Sequence, residues 1–231
     1  MIPFRSFLKG AFLAFVLSTL HTEANDMVEI QCYRNEAVTE LRPVLDAWAH
    51  SNYREYPYFY VFQKENDYNK IFEIDPTAFV LFAESNEKKI GLLQANALDS
   101  SFLKDARYTP YLAMDQIQEK GFDPEKTLYI TSFLTTKEER LNREMLSKLF
   151  DRAVEIAKEM GKKQICYMEI VQDFSHPLTP NPYIPIEPWS ELNVLFRTTG
   201  IQIEMKWPTL QPDGQVKEEA HILEIFITDI A

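Results

Sequence analysis

The chain has 231 residues, a formal net charge of −11 and a sequence pI near 4.9. Hydrophobic residues make up 45% and charged residues 26%, which is typical of a globular protein rather than a disordered or fibrous one. The acidic balance argues against nucleic acid, because binding to phosphates needs clustered lysine and arginine. The six glycines lie too far apart for a dinucleotide-binding or P-loop motif, and the histidines and cysteines show no metal-ligand spacing.

The first 24 residues differ from the rest of the chain. Arg5 and Lys9 precede an apolar run that ends at Leu20, and Thr22 and Ala24 then put small residues at the positions that a signal peptidase reads. The run is too short to cross a bilayer comfortably, so it predicts a signal peptide over 1–24 and an exported, periplasmic or secreted, protein without an integral membrane span. Translation from Met27 would instead give a cytoplasmic protein. On either interpretation, we expect one domain over 28–231.

Beyond this segment, strands and helices alternate. Residues 28–33 predict a strand, and residues 36–50 predict a helix with one apolar face, in which Pro43 predicts a break or kink. Residues 78–83 and 89–97 flank a polar tip, which predicts a β-hairpin.

The middle of the chain contains the clearest pattern. A predicted helix over 112–120 comes before a predicted strand over 127–134. A helix with an apolar stripe from Met145 to Met160 ends at Gly161, and a strand over 164–171 follows it. A strand, a crossover helix and a second strand predict parallel pairing with a right-handed connection.

The last quarter begins with a proline-rich stretch over 174–189, which predicts an extended loop. Residues 191–199 predict a short helix ended by Gly200. Alternating apolar residues over 201–207 and 222–227 then predict two strands. The chain shows no internal repeat and no interdomain linker.

This order of elements resembles the GNAT superfamily of acyl-CoA-dependent N-acyltransferases, and three short motifs are similar to a bacterial subgroup of it. They lie at 53–58 after the first helix, at 175–186 after the fifth strand and at 196–201 before the sixth. The resemblance covers roughly 28–227. It implies an α+β fold in which a central mixed, mostly antiparallel sheet is splayed between its fourth and fifth strands, with helices on both faces.

The resemblance also implies an activity. Members transfer an acyl group from acetyl-CoA to an amine, which here is an unidentified small molecule or peptide. The pantetheine arm lies between the splayed strands, and the pyrophosphate lies on backbone amides at the start of the next helix, where N–H groups lack helical partners. The positions of this chain that would bind acetyl-CoA form one segment: Leu134, Thr135, Thr136, Arg140, Leu141, Asn142, Arg143, Glu144, Met145 and Leu146.

This segment departs from the family pattern. The family's two loop glycines, which let backbone approach a phosphate, correspond to Glu144 and Leu146, and Glu144 adds a like charge beside the diphosphate. The loop is also longer than usual, so a shifted register would place Arg140 and Arg143 near the phosphates. The alternative is a solvated helix start with mixed charges.

The catalytic positions depart as well. Many members have a carboxylate base on the fourth strand, where this chain has Thr131 and Ser132. In the family a tyrosine acts as the general acid, and this chain has Phe196 at that position. Positioning and an oxyanion-stabilising amide would still promote direct attack by an amine. The remaining candidate catalytic residues are Glu169, Tyr167 and His176.

Two functions therefore stay open. One is an N-acetyltransferase, for which the acidic surface suits a cationic amine acceptor. The other is a catalytically inactive, exported GNAT-fold binding protein that no longer uses acetyl-CoA, a cytosolic metabolite. We expect no metal cofactor and no disulfide between Cys32 and Cys166. The sequence does not predict the oligomeric state.

Overall fold

The computed structural model describes residues 28–61, 68–101, 113–171, 178–182, 189–192 and 196–231. The predicted signal peptide lies outside these residues. One sheet has the strand order β1-β2-β3-β4-β5-β7-β6. Its strands are β1 (Glu29–Tyr33), β2 (Phe79–Ser85), β3 (Lys88–Ala97), β4 (Thr127–Thr135), β5 (Gln164–Ile170), β6 (Arg197–Leu210) and β7 (Val216–Asp229). Among them, β4 and β5 pair in parallel, and every other neighbouring pair is antiparallel.

Helices cover both faces of the sheet. They are α1 (Glu36–Tyr53), α2 (Ile71–Ile74), α3 (Met114–Glu119) and α4 (Arg143–Glu159). Of the break or kink predicted at Pro43, the break is wrong, because α1 continues through this residue. Proline removes one helical hydrogen bond, but Val38 and Leu45 are buried on either side of it and keep both turns packed on the sheet.

The core consists of two layers that the sheet separates. Because side chains alternate along a strand, Val80 and Phe82 of β2 pack with α1, α2 and α3, whereas Leu81 and Ala83 pack with α4. We call these two sides the α1 face and the α4 face. The buried thiol of Cys166 lies on the α1 face, and it forms no disulfide with the exposed Cys32.

The predicted helix over 191–199 is wrong. Trp189–Leu192 forms a 3₁₀ turn, and β6 already begins at Arg197. Gly200 has a φ of +69° and lies where the register of β6 against β7 shifts between Thr198 and Gln202. The glycine therefore marks a β-bulge rather than the end of a helix.

The predicted fold class is confirmed. The sheet is mixed and mostly antiparallel, its one parallel pair joins the fourth and fifth strands, and helices lie on both faces. This is the GNAT-type architecture that the resemblance implies.

Candidate functional site

A gap opens within the sheet between β4 and β5. Their parallel pairing covers four residue pairs, from Thr127 with Gln164 to Ile130 with Tyr167. Beyond these residues β4 pairs with β3 and β5 pairs with β7, but the two strands no longer pair with each other. We call the space between their carboxyl-terminal halves the wedge. The splay expected from the sequence is present.

One edge of β4 presents backbone groups to the wedge. The N–H of Thr136 donates to the carbonyl of Ile90 over 3.1 Å, which fixes the phase of the ladder between β3 and β4. Because hydrogen-bonded positions alternate in an antiparallel ladder, the N–H and C=O groups of Phe133 and Thr135 point away from β3. An extended ligand in the wedge would therefore bind β4 as an added strand does.

Solvent reaches the wedge where the two strands part. Eight of the nine residues of β4 are buried, and the exception is Thr131, the first residue after the parallel pairing ends. On β5, the partly exposed residues Met168 and Glu169 follow Tyr167, the last paired residue. Thr131, Met168 and Glu169 therefore border an opening at the narrow end of the wedge.

A β-bulge lies at this opening. The register of β3 against β4 shifts there and leaves Thr131 as the extra residue. The bulge directs two consecutive hydroxyls to the α1 face. Thr131 Oγ1 donates to Asn96 Oδ1 over 3.2 Å, and Ser132 Oγ accepts a hydrogen bond from the Tyr53 hydroxyl over 2.9 Å. Polar groups thus line the α1 face of β4 inside an otherwise apolar core.

The start of α4 has the form of an anion site. Asn142 caps the helix, because its Oδ1 accepts from the N–H of Met145 over 3.1 Å. Its amide also donates to Glu139 over 2.6 Å, which fixes the loop before the helix. The N–H groups of Arg143 and Glu144 have no acceptor within the helix, and they lie at the positive end of the helix dipole.

The side chains at the family's two glycine positions differ in exposure. Leu146 is fully buried on the α4 face and contributes only its backbone to this end of the helix. Glu144 is exposed and pairs with Lys148 over 2.9 Å. Its carboxylate opposes an anion at the first turn, although Lys148 offsets part of that charge.

Arg140, which was predicted near the phosphates, shares one carboxylate with Lys137. Lys137 Nζ lies 2.6 Å from Glu55 Oε1, and Arg140 lies 3.2 Å from Glu55 Oε2. Burial alone would raise the pKa of Glu55, but the hydrogen bonds from Lys137 and Arg140 outweigh burial, and the pKa is lowered. Two cations and one carboxylate leave this trio positively charged, and it ties the segment after α1 to the loop before α4.

The segment between β4 and α4 also contains polar atoms that the described residues leave unsatisfied. Thr135 Oγ1 and Arg140 Nε are both buried, and neither has a hydrogen-bond partner in the described part of the chain. Thr135 is 1% exposed and Arg140 is 9% exposed. Buried donors and acceptors are nearly always satisfied, so these atoms fit a polar group of a ligand next to the start of α4.

Aromatic rings fill the wedge on the α4 face. The Trp189 ring stacks on Tyr167 of β5 with centroids 3.9 Å apart, and it meets Phe133 of β4 edge-on at 5.4 Å. Phe196 packs against Tyr167 and Trp189 at 4.7 and 5.3 Å. Trp189 therefore bridges the two strands at the place where a pantetheine arm coming from the start of α4 would enter.

The structure brings two of the three predicted catalytic residues together. Tyr167 is buried, its hydroxyl lies 3.5 Å from Glu169 Oε2, and Glu169 is partly exposed at the opening. His176 lies outside the described residues. Phe196 lies beside Tyr167, so the position of the family's acid is occupied by a ring that only packs.

The remaining predicted binding residues have different environments. Leu134 is buried on the α1 face, and Met145 is buried on the α4 face. The Leu141 side chain is exposed, with 56% of its surface accessible. These residues would contribute to binding through their backbone and through the shape of the loop rather than through polar side chains.

Sequence reasoning missed a buried polar network on the α1 face. Gln94 and Asn96 alternate along the otherwise apolar strand β3, both are almost fully buried, and Gln94 donates to Asn69 over 2.9 Å. Two amides on one face of a predicted buried strand are themselves a signal, because buried amides need specific partners.

Metal-binding clusters and membrane-spanning helices are both absent from the described part of the chain. No group of three or more histidine, cysteine, aspartate or glutamate side chains there could hold a metal ion. Among the same residues, no helix is long and apolar enough to cross a membrane.

Comparisons with known proteins concern the fold alone. No family model matches the chain, and no curated protein matches it. It is similar to the crystal structure of a probable acetyltransferase from Staphylococcus epidermidis, with 8% identity over 89% of this chain and 100% of that one and a TM-score of 0.49. It is also similar to an N-acyl amino acid synthase from uncultured soil microbes (14% identity, 86% and 91% coverage, TM-score 0.48) and to the aminoglycoside 6'-N-acetyltransferase of Enterococcus faecium (8%, 88% and 97%, 0.46).

Proposed function

We propose that the protein is an N-acyltransferase that transfers an acyl group from acetyl-CoA to a primary amine of a small molecule or peptide. The observation that supports this most directly is the wedge. The only parallel pair among the described strands opens after four residue pairs and leaves one edge of β4 without a strand partner. Such an edge binds an extended arm through backbone hydrogen bonds.

The residues around the wedge suit the parts of the donor. The backbone of Phe133 and Thr135 would pair with the arm, and the first N–H groups of α4 would bind the diphosphate. Arg140 Nε and Thr135 Oγ1, which have no partner among the described residues, would bind polar oxygens next to it. Charge-assisted hydrogen bonds of this kind are stronger than neutral ones, so we expect Arg140 to contribute most to the free energy of acetyl-CoA binding.

Transfer would take place at the opening. The amine nitrogen attacks the thioester carbonyl carbon, the carbon–sulfur bond breaks, and a proton leaves the nitrogen as the thiolate becomes a thiol. Glu169, a partly exposed carboxylate at the opening, is the group we propose to accept that proton from the nitrogen and to pass it on to the thiolate, with Tyr167 holding its orientation. His176 stays a second candidate from the sequence.

A specific observation favours a second candidate function, a binding protein of the same fold that does not use acetyl-CoA. Trp189 fills the wedge on the α4 face, and the Glu144 carboxylate stands at the first turn of α4. Both features oppose the donor. In such a protein, the buried polar groups of the α1 face would bind a ligand, and no acyl group would be transferred.

Calorimetry of the full chain with acetyl-CoA separates the two functions. Micromolar binding supports the transferase, and no heat at millimolar acetyl-CoA supports the binding protein.

If the donor binds as proposed, replacing Arg140 and Arg143 together by alanine weakens binding at least tenfold, since one hydrogen bond to a charged group contributes about 1.5–3 kcal/mol. The control changes Arg152 and Arg197, which pair with Glu155 and Asp229 elsewhere. Equal affinities of the two double variants would reject the phosphate assignment.

A further inference from the structure

Trp189 lies between two strands that have separated. Its side chain is buried, with 7% of its surface exposed. The ring stacks on Tyr167 of β5 and meets Phe133 of β4 edge-on, although β4 and β5 no longer pair with each other at Phe133. One side chain therefore connects the two strands where backbone hydrogen bonds between them have ended.

This ring lies across the route from the start of α4 into the wedge. Met145 and Leu146, in the first turn of α4, pack in the same buried cluster as Trp189 on the α4 face. A ligand that pairs with the free edge of β4 lies in the plane of the sheet, about 4.8 Å from that strand. To reach this plane from the α4 face, an arm has to pass between Phe133 and Tyr167. Trp189 occupies that space.

Trp189 is held differently from the rings that it contacts. Phe133 and Tyr167 belong to strands, and the hydrogen bonds of those strands with β3 and β7 fix their positions. Trp189 instead begins a 3₁₀ turn of four residues, Trp189–Leu192, which is part of no strand. Its ring can therefore leave the wedge without separating any pair of strands. Phe133, Tyr167 and Phe196 would then still line the space with apolar surface.

We propose that Trp189 is a plug, which closes the wedge while no donor is bound and moves out when acetyl-CoA binds. The inference rests on the proposed function, because it takes the wedge as the site of the donor's arm. Displacing the ring costs part of the binding free energy, so the apparent affinity falls with the fraction of molecules in which the wedge is open. The ring that opposes the donor in this structure thus limits donor binding rather than excluding it.

The first test is calorimetry of acetyl-CoA binding to the full chain. We expect Trp189→Ala to bind acetyl-CoA about tenfold more tightly than the wild type, because the variant has no ring to displace from its aromatic contacts. The matched control is Trp207→Ala. Trp207 stacks on His221 with centroids 3.8 Å apart, but it lies in the part of the β6–β7 pair that β5 does not reach. Its loss should leave the affinity for acetyl-CoA unchanged.

Adenosine diphosphate tests whether the effect concerns the arm. This ligand has a diphosphate for the start of α4 but no pantetheine arm, so Trp189→Ala should not change its affinity. An equal gain in affinity for adenosine diphosphate and acetyl-CoA would contradict the plug, because the ring would then act on the phosphate site.

A second measurement avoids the loss of stability that follows when a buried ring is removed. Changing Trp48 and Trp207 to phenylalanine leaves Trp189 as the only tryptophan of the chain. Saturating acetyl-CoA should then shift its fluorescence emission to longer wavelength and increase quenching by acrylamide, because the ring leaves an apolar site for water. A ring that merely lines the bound arm would become less accessible to acrylamide, and that result, or an unchanged spectrum, would overturn the plug.

The outcomes separate the plug from the proposed function. If the wild type binds acetyl-CoA and Trp189→Ala binds it no more tightly, the plug is wrong and the transferase keeps its support. If only Trp189→Ala binds acetyl-CoA, the ring closes the wedge as proposed, and the wild-type chain does not use this donor. If neither protein binds acetyl-CoA, both proposals are wrong.

Discussion

A single glycine determines how closely α4 lies against the sheet. A Cβ atom built on Gly91 of β3 would collide with Met145 Sδ and come within 2.8 Å of Leu149 Cδ1. Both residues are fully buried in the first half of α4. A glycine is needed at position 91 because α4 leaves no room for a side chain there, and not because of the φ angle.

We predict that Gly91→Ala lowers the free energy of unfolding by about 1–3 kcal/mol, the usual effect of overpacking a tight core. Urea denaturation measures it. The control is the same change in a Met145→Ala background, where the nearest atom is gone and the loss should be smaller by at least about 0.5 kcal/mol. Equal losses in both backgrounds would show that the helix shifts rather than clashes.

At the same scale, the sequence predicted the candidate site unevenly. Tyr167 and Glu169 could be placed together because residues two apart on a strand share a face, and they do. The partner of Arg140 could not be predicted, because Glu55 lies 85 residues away in the chain. The contact of Thr131 with Asn96 could not be predicted either, because the two residues lie 35 positions apart in the chain.

At the scale of elements, Glu55 connects the carboxyl end of α1 to the loop before α4. Because its carboxylate binds both Lys137 and Arg140, it positions the segment in which the donor would be held. Neutralising it should loosen this connection without changing the core.

We predict that Glu55→Gln lowers the free energy of unfolding at pH 7 by roughly 0.5–1 kcal/mol, a small value because the carboxylate is partly solvated. The pKa of Glu55 is lowered in the folded state, so its contribution is complete above the ordinary glutamate pKa of about 4.3 and is lost as the pH falls through the lower folded-state value. Urea denaturation at pH 7 and near pH 3 measures both. Glu138→Gln, on the exposed side of the same loop, is the control, and an equal effect of the two changes would argue against the connection.

Element prediction succeeded where a periodic pattern agreed with burial and failed where one residue type was read alone. The stripe of α4 and the alternation of β6 are signals summed over many residues, and both elements are present. Pro43 was expected to break or kink a helix, and Gly200 was expected to end one. Instead α1 continues through Pro43, and Gly200 lies at a β-bulge. The fold could be predicted because its order of elements is a global pattern, whereas the bulges could not.

For the whole molecule, the sheet separates two chemical environments that meet at one opening. Both sides of the sheet are mostly apolar, and the aromatic rings of the wedge lie on the α4 face. Amides, hydroxyls and the Asp75 carboxylate lie on the α1 face. Thr131 and Glu169 lie at the opening where these two sides meet.

The amino terminus bears on the choice between the two proposed functions, because an exported transferase would lack its cytosolic donor. We propose that residues 1–24 are a signal peptide, because Arg5 and Lys9 precede a short apolar run and small residues, Thr22 and Ala24, then occupy the cleavage positions. Mass spectrometry of the amino-terminal peptide, on protein from its native host, should then find Asn25 first. Cell fractionation is the control, since cleavage and export must agree. An intact Met1 or a start at Met27 would instead place the protein with the cytosolic acetyl-CoA pool and favour the transferase.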